Sequence, residues 1–325
     1  MKKKLIAALM TGALAASMIA GCGSTASSSA SGAASASGTA SGAAPVSADA
    51  SGSASGSAVT ASGSASADAD TMGDYIYTGD PVTIKIAASP TPHAEILEHV
   101  APILKEEGIT LDIQEFEDYV QPNTVVDQGE FDANYFQHVV YLNDFNEEQG
   151  TDLAIAGKIH YEPFGIYPGT KDSLDDVADG DTIAIPNDTT NEARALLLLQ
   201  DNGLIKLKDG VGITATVNDI EDNPYNLKLE ELEAAQVSRV MNEVAYVVLN
   251  GNYAQEAGLD AANDALAYEK QDSEAAQDYV NVIAVKSGNE DKPEIKALVS
   301  VLKAPATQEW MNETFKGSVV PYTGE

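Results

Sequence analysis

Between Ile183 and Leu199 a strand, a polar turn and an apolar helix follow one another directly, which points to α/β architecture. Ile183-Ala-Ile185 reads as the end of a buried strand, closed by Pro186. Asn187-Asp-Thr-Thr-Asn191 is the turn, and Glu192–Asn202 the predicted helix. Thr189 and Glu192 stand in capping-box spacing. A helix start offers unpaired N–H groups and the positive end of a dipole, both of which favour anions. Arg194, one turn in, has the fork that grips a carboxylate through two parallel hydrogen bonds. The arrangement suits a receptor for a small carboxylate better than a site for bond breaking. Arg194 also reads as partner to a surface carboxylate, since acids abound; its place at a strand's carboxyl end favours a ligand.

The same alternation runs through the chain. Val82–Ala88 is strand-like, and Ile96, Leu97, Val100, Ile103 and Leu104 lie on one helical stripe. Ile109–Phe116 and Ala133–Phe136 read as strands, Val125–Gln128 and Tyr141–Glu148 as helices, and Leu153–Ala156 as extended. Gly165–Pro168 reads as a strand leaving a first lobe. After the unit at Thr182 come a strand at Asn226–Leu229, a helix at Glu231–Met241 and a buried strand at Ala245–Leu249. Tyr279–Val285 returns to the first lobe, and helices at Pro293–Leu302 and Ala306–Phe315 close it. The fold class is therefore α/β with two lobes, 81–170 plus 272–325 and 171–271, around a cleft suited to a small ligand.

Lys2-Lys-Lys4 and the apolar Leu5–Ala20 form a secretory signal over residues 1–21, ending in Ile19-Ala-Gly-Cys22. Cys22, in a lipobox-like setting, is expected to carry lipid and anchor the chain to the extracytoplasmic face of the cell membrane. It is the only cysteine, so no disulfide scaffold is available. Residues 22–80 read as a tether: up to about residue 70 the chain is almost all Ser, Ala, Gly and Thr and cannot offset its ordering entropy. About 48 such residues span roughly 35–40 Å.

Without its signal the chain has 15 basic and 50 acidic residues, net −35, which repels nucleic acid and anionic lipid. No Gly-rich phosphate loop, nucleophile elbow or zinc-protease motif occurs, so neither enzyme activity nor a cofactor is expected. His93 and His99 are six apart, wrong for one helical face. A metal site among His93, His99, His138 and His160 would need tertiary convergence, and none is expected. His93 reads as a helix-start residue and Trp310 as core.

Six segments in order resemble one family: Pro92-His-Ala-Glu-Ile-Leu97, Asp118-Tyr-Val-Gln-Pro-Asn123, Asp132–His138, Pro186–Arg194, Leu204–Gly212 and Leu249-Asn-Gly-Asn-Tyr-Ala254. The folded body, about 82–322, resembles the NlpA/MetQ family of methionine-binding lipoproteins that serve ABC importers. That resemblance implies a type II periplasmic-binding-protein fold closing on one amino acid, with a membrane permease as partner. It implies Arg194 at the ligand carboxylate beside Asn191, and Asn250 at the head group. Tyr119, Phe136 and His138 would surround the thioether, which packs well on aromatic rings. By residue type alone His138 and Tyr119 read equally as core, and Asn250 as a turn residue before Gly251. The chain departs from the family at Val244-Ala-Tyr246, where an acid is frequent, and at Thr189, commonly Pro. The alternatives are the same fold binding another amino acid or a short methionyl peptide, or a surface interaction lipoprotein with a vestigial cleft.

Overall fold

The computed structural model describes residues 70–270 and 278–324. The signal, Cys22 and residues 22–69 of the expected tether lie outside these residues, whereas residues 70–80, expected as tether, are held to the folded body: the Tyr75 N–H donates to Ser300 Oγ at 2.8 Å, and Ser300 Oγ donates to the Met72 carbonyl at 3.0 Å. Two sheets organise the rest. The first has six strands in the order Val320–Pro321, Leu153–Tyr161, Val280–Lys286, Ala133–His138, Val82–Ala88, Ile109–Glu115. The second has five: Ala267–Tyr268, Gly165–Pro168, Tyr246–Leu249, Thr182–Pro186, Lys228–Leu232. A short pair, Lys206–Leu207 with Ile220–Asp222, stands apart.

Pairing is parallel where successive strands are joined through a helix, as between Val82–Ala88 and Ile109–Glu115, and Thr182–Pro186 is likewise parallel to both Lys228–Leu232 and Tyr246–Leu249. It turns antiparallel where the chain passes between the sheets. Val280–Lys286 inserts antiparallel between Ala133–His138 and Leu153–Tyr161. Gly165–Pro168, expected to lead out of the first lobe, is itself antiparallel to Tyr246–Leu249 in the second sheet. The crossing thus falls between Tyr161 and Gly165.

Each sheet has its own apolar core. The stripe of helix Glu95–Glu106 buries Ile96, Leu97, Val100 and Leu104 on the first sheet, with Ile103 half-buried. Helix Thr189–Asp201 buries Ala193, Leu196 and Leu199 against Ile183 and Ile185 of the second. Each such Val, Leu or Ile side chain contributes about 1.5–3 kcal/mol on leaving water. Helices Pro293–Leu302 and Pro305–Phe315 close the first half. Trp310 there is half-buried, stacked on His99 with centroids 3.9 Å apart.

Two local expectations change. The helix expected over Glu231–Met241 is instead the end of strand Lys228–Leu232 followed by the short helix Ala234–Val237. Leu229 and Leu232 pair with the neighbouring strand Thr182–Pro186, and that tertiary contact overrides helix propensity. The helix after Pro186 is capped by Asp188, not Thr189: its carboxylate accepts the Asn191 N–H at 3.1 Å. Thr189 is the first helical residue, and Glu192 accepts the Val217 N–H.

Candidate functional site

The strands carry the site at their carboxyl ends, where open α/β sheets bind ligands. Ala133–His138 ends in His138, Leu153–Tyr161 runs into Glu162, Thr182–Pro186 into Asp188–Arg194, and Tyr246–Leu249 into Asn250–Asn252. With Tyr119, Phe136, Tyr141 and Asn281 they line one narrow pocket with an empty volume of about 330 Å³.

Its polar centre is a single oxygen. His138 Nδ1 accepts the Tyr141 N–H at 3.0 Å, capping helix Val139–Gln149, so the ring proton belongs on Nε2. That N–H faces Asn191 Oδ1 at 3.2 Å, and Asn250 Nδ2 donates to the same oxygen at 2.9 Å. Asn191 Nδ2 donates to Asp188 Oδ1 at 2.8 Å, which fixes the orientation of its amide. Burial, with the Arg194 charge nearby, pushes His138 down to about 3, so the ring is neutral. Asn250 Oδ1 is buried and has no partner.

Arg194 is 4% exposed. Its Nε donates to Glu269 Oε1 at 2.8 Å and its Nη2 to Oε2 at 2.5 Å, while Nη2 also donates to the Glu162 carbonyl at 3.1 Å. The guanidinium lies 4.2 Å from the Tyr279 ring centroid and 4.7 Å from that of Phe164. Burial opposes its charge, but Glu269 more than offsets this and holds the group protonated above its ordinary range. The two-bond grip expected for a ligand is thus made to an internal carboxylate, and Nη1 is the nitrogen outside it.

The opposite wall is aromatic. Tyr119 lies 5.7 Å from Phe136, 5.7 Å from Tyr141 and 5.0 Å from Tyr253, centroid to centroid. Two hydrogen bonds tie the halves together here: Tyr119 O–H to Asn252 Oδ1 at 2.5 Å, and Tyr253 O–H to the Glu117 carbonyl at 2.8 Å. Tyr119 and Tyr141 also line an outer hollow bordered by Asp118, Asp188 and Glu233.

Beneath the pocket His93, His160 and Glu162 converge, all buried. Tyr135 O–H meets His160 Nδ1 at 2.5 Å, which leaves the His160 proton on Nε2, 2.8 Å from Glu162 Oε1. His93 Nε2 lies 3.0 Å from Asn281 Oδ1 and 3.3 Å from Glu162 Oε1. Burial pushes both histidines down and Glu162 up. A cation here would force a proton onto His93 Nδ1, which is buried without a partner. The cluster is better described as a hydrogen-bonded network of neutral rings on one carboxylate.

All six pocket residues expected from the sequence, Tyr119, Phe136, His138, Asn191, Arg194 and Asn250, line this pocket. His93 does stand at a helix start, in the turn Pro90–Ala94 that runs into helix Glu95–Glu106, and its side chain also belongs to the buried network. Sequence reasoning missed Glu162, Asn252, Glu269 and Tyr279. For Glu162 a signal existed: His160-x-Glu162 has the period of a strand, which puts both side chains on one face.

A two-sheet α/β body with a polar and aromatic pocket at the facing strand ends is a two-lobed substrate-binding protein. The chain belongs to the NlpA lipoprotein family, whose model matches residues 84–323. Among relatives, the methionine-binding lipoprotein MetQ of Bacillus subtilis is 39% identical over 242 residues, 73% of this chain and 87% of its own. A solved structure from Ruminococcus gnavus is 68% identical, with TM-score 0.73 over 74% of this chain and 99% of that one. A nutrient-binding protein from Burkholderia cenocepacia, solved bound to methionine, is 43% identical, with TM-score 0.70 over 73% and 99% of the two chains. Among the described residues no helix is long and apolar enough to cross a membrane.

Proposed function

We propose that this chain is the substrate-binding lipoprotein of an ABC importer, taking up methionine outside the cytoplasm and delivering it to the permease. The observation that carries the reading is one pocket combining a buried Arg194 and the Asn191–Asn250 amide pair with the Tyr119–Phe136–Tyr141 aromatic wall. A zwitterion leaving water needs paired charge and hydrogen bonds, and a polarizable thioether packs well on rings. The B. subtilis and B. cenocepacia relatives support methionine as the cargo.

In this reading the first lobe is 81–164 plus 272–325 and the second 165–271, because strand Gly165–Pro168 belongs to the second sheet, so the boundary falls six residues ahead of the one expected from the sequence. Cys22 carries the lipid anchor, and palmitate labelling lost in Cys22→Ser tests it. The protein binds without catalysing, uses no cofactor and holds no resident metal. Isothermal titration of protein stripped of cargo by unfolding and refolding, against an amino acid and dipeptide panel, tests the cargo. A response to methionine alone is the expected outcome; a response confined to another solute replaces methionine, and none across the panel overturns the receptor reading.

A further inference from the structure

The chain passes between the two sheets twice. It leaves the first after Tyr161 and enters the second at Gly165; it leaves the second after Tyr268 and returns to the first at Val280. Glu269, the first residue of the return, is bonded to the outgoing crossing at three points. Its N–H donates to the Phe164 carbonyl at 3.0 Å, and its Oε2 accepts the Phe164 N–H at 3.4 Å and the Tyr161 hydroxyl at 2.6 Å. Arg194 joins the same arrangement from the pocket wall. Besides its two bonds to Glu269, its Nη2 donates to the Glu162 carbonyl of the outgoing crossing. Its guanidinium faces the ring of Phe164 in that crossing and of Tyr279, where the return ends. One pocket side chain thus touches both crossings.

Glu269 and Arg194 travel with the second sheet, Tyr161 with the first. Any rotation of one sheet against the other therefore acts on the Tyr161–Glu269 bond and on the seat of Arg194 against Tyr279. That bond has a charged acceptor and a buried donor, which makes it one of the stronger kind. We infer that Glu269 is the hinge residue of this receptor: it fastens the two crossings to each other, and through Arg194 it ties occupancy of the pocket to the angle between the lobes. This rests on the reading of the pocket as a ligand site. Glu269 is a positioning residue, acting on cargo through Arg194. Closing makes the Tyr161–Glu269 bond, opening gives it up, and cargo held at Arg194 favours the closed arrangement.

The test measures the distance between the lobes. In the full chain with Cys22→Ser, which removes the only native thiol, spin labels are placed on Glu98→Cys and Asp201→Cys, both exposed positions. Double electron–electron resonance then reads one lobe against the other, and saturating L-methionine should draw the distances of stripped protein into one narrow population. Tyr161→Phe keeps the ring and the Arg194–Glu269 pair and removes only the hydroxyl. It should lower the closed-to-open ratio of empty protein roughly 2- to 10-fold, the worth of one hydrogen bond, and speed methionine release by a similar factor. Glu269→Gln should leave a mixture of distances even at saturating methionine. Variants with wild-type distances and release rates, whatever their urea midpoints, would reduce Glu269 to a structural role and overturn the inference. So would a wild type whose distances are the same empty and loaded. Should Glu269→Gln fail to fold, Tyr161→Phe decides. If another amino acid proves to be the cargo, the methionine reading fails, and the same distances with that amino acid decide for Glu269. Folded wild type that binds no amino acid overturns both.

Discussion

Arg194 and Glu269 form a buried, two-bond ion pair, with Nε–Oε1 at 2.8 Å and Nη2–Oε2 at 2.5 Å. The pair joins helix Thr189–Asp201 to the residue just after strand Ala267–Tyr268. Tyr161 O–H also donates to Glu269 Oε2, at 2.6 Å, so the first sheet is tied in. Removing one partner strands a buried charge, which costs about 3–5 kcal/mol. Glu269→Gln and Arg194→Ala should each lower the unfolding free energy of stripped protein by that order in urea titration. Arg194→Ala should also weaken ligand binding by about 3–5 kcal/mol. A pair of variants with unchanged urea midpoints would mean that the ion pair adds nothing to the fold.

The local part of the site was legible because helix starts and strand ends write themselves into neighbouring residues: Pro186, the polar turn and Arg194 lie within nine positions. What faces that turn was not. His138 is 53 positions from Asn191, and Glu269 is 75 from Arg194. Spacing carries no information across such gaps, and only resemblance brought His138, Tyr119 and Asn250 to the pocket. Glu269 and Glu162 escaped because in a chain with 50 acids a buried carboxylate looks like any solvated one. The cap moved from Thr189 to Asp188 because both fit at an N-cap, and the choice depended on where Asn191 had to point.

Asn191 tests the polar centre. Its Oδ1 receives His138 and Asn250 while its Nδ2 donates to Asp188. Asn191→Asp keeps the shape but sets a second acceptor 2.8 Å from the Asp188 oxygen. Losing that donor in a buried site costs about 1–3 kcal/mol, more with charge. Thermal unfolding should show a clear drop that lessens in Asn191→Asp with Asp188→Asn. An equal drop in the double variant would show that the two residues are not coupled.

Tyr119 tests the closure between the halves. Tyr119→Phe removes the hydrogen bond to Asn252 but keeps the ring against Phe136 and Tyr253. One such bond contributes about 0.5–1.5 kcal/mol, so ligand affinity should fall by roughly 10-fold or less, mostly through faster release. Tyr119→Ala removes the ring as well and should fall further. Stopped-flow release kinetics distinguish the two; equal release rates would leave the ring without a role in holding cargo.

The buried network makes a prediction about acid. His93, His138 and His160 are held by burial at about 4, 3 and 3, whereas the unfolded chain takes up their protons below 6.5. These three lowered values favour the native state above pH 6.5, and the benefit drains away as pH falls. Glu162 and Glu256 act the other way: burial raises each to about 7 from 4.5, so the native state gains protons first and is favoured as pH falls. Charged or titratable groups around Glu162 are His93, His160, Arg194, Glu256, Tyr119, Tyr135 and Tyr167. Asp188 and Glu192, also raised by burial, join the opposing side. At pH 6.5 the two sides nearly cancel, and by about pH 5.5 the unfolded chain binds about one proton more than the native one, so around that pH stability should fall by about 1.4 kcal/mol per pH unit. Glu162→Gln removes one opposing proton and should roughly double that slope in urea titrations of stripped protein at stepped pH. An unchanged slope would mean that Glu162 stays ionised in the native state throughout the window.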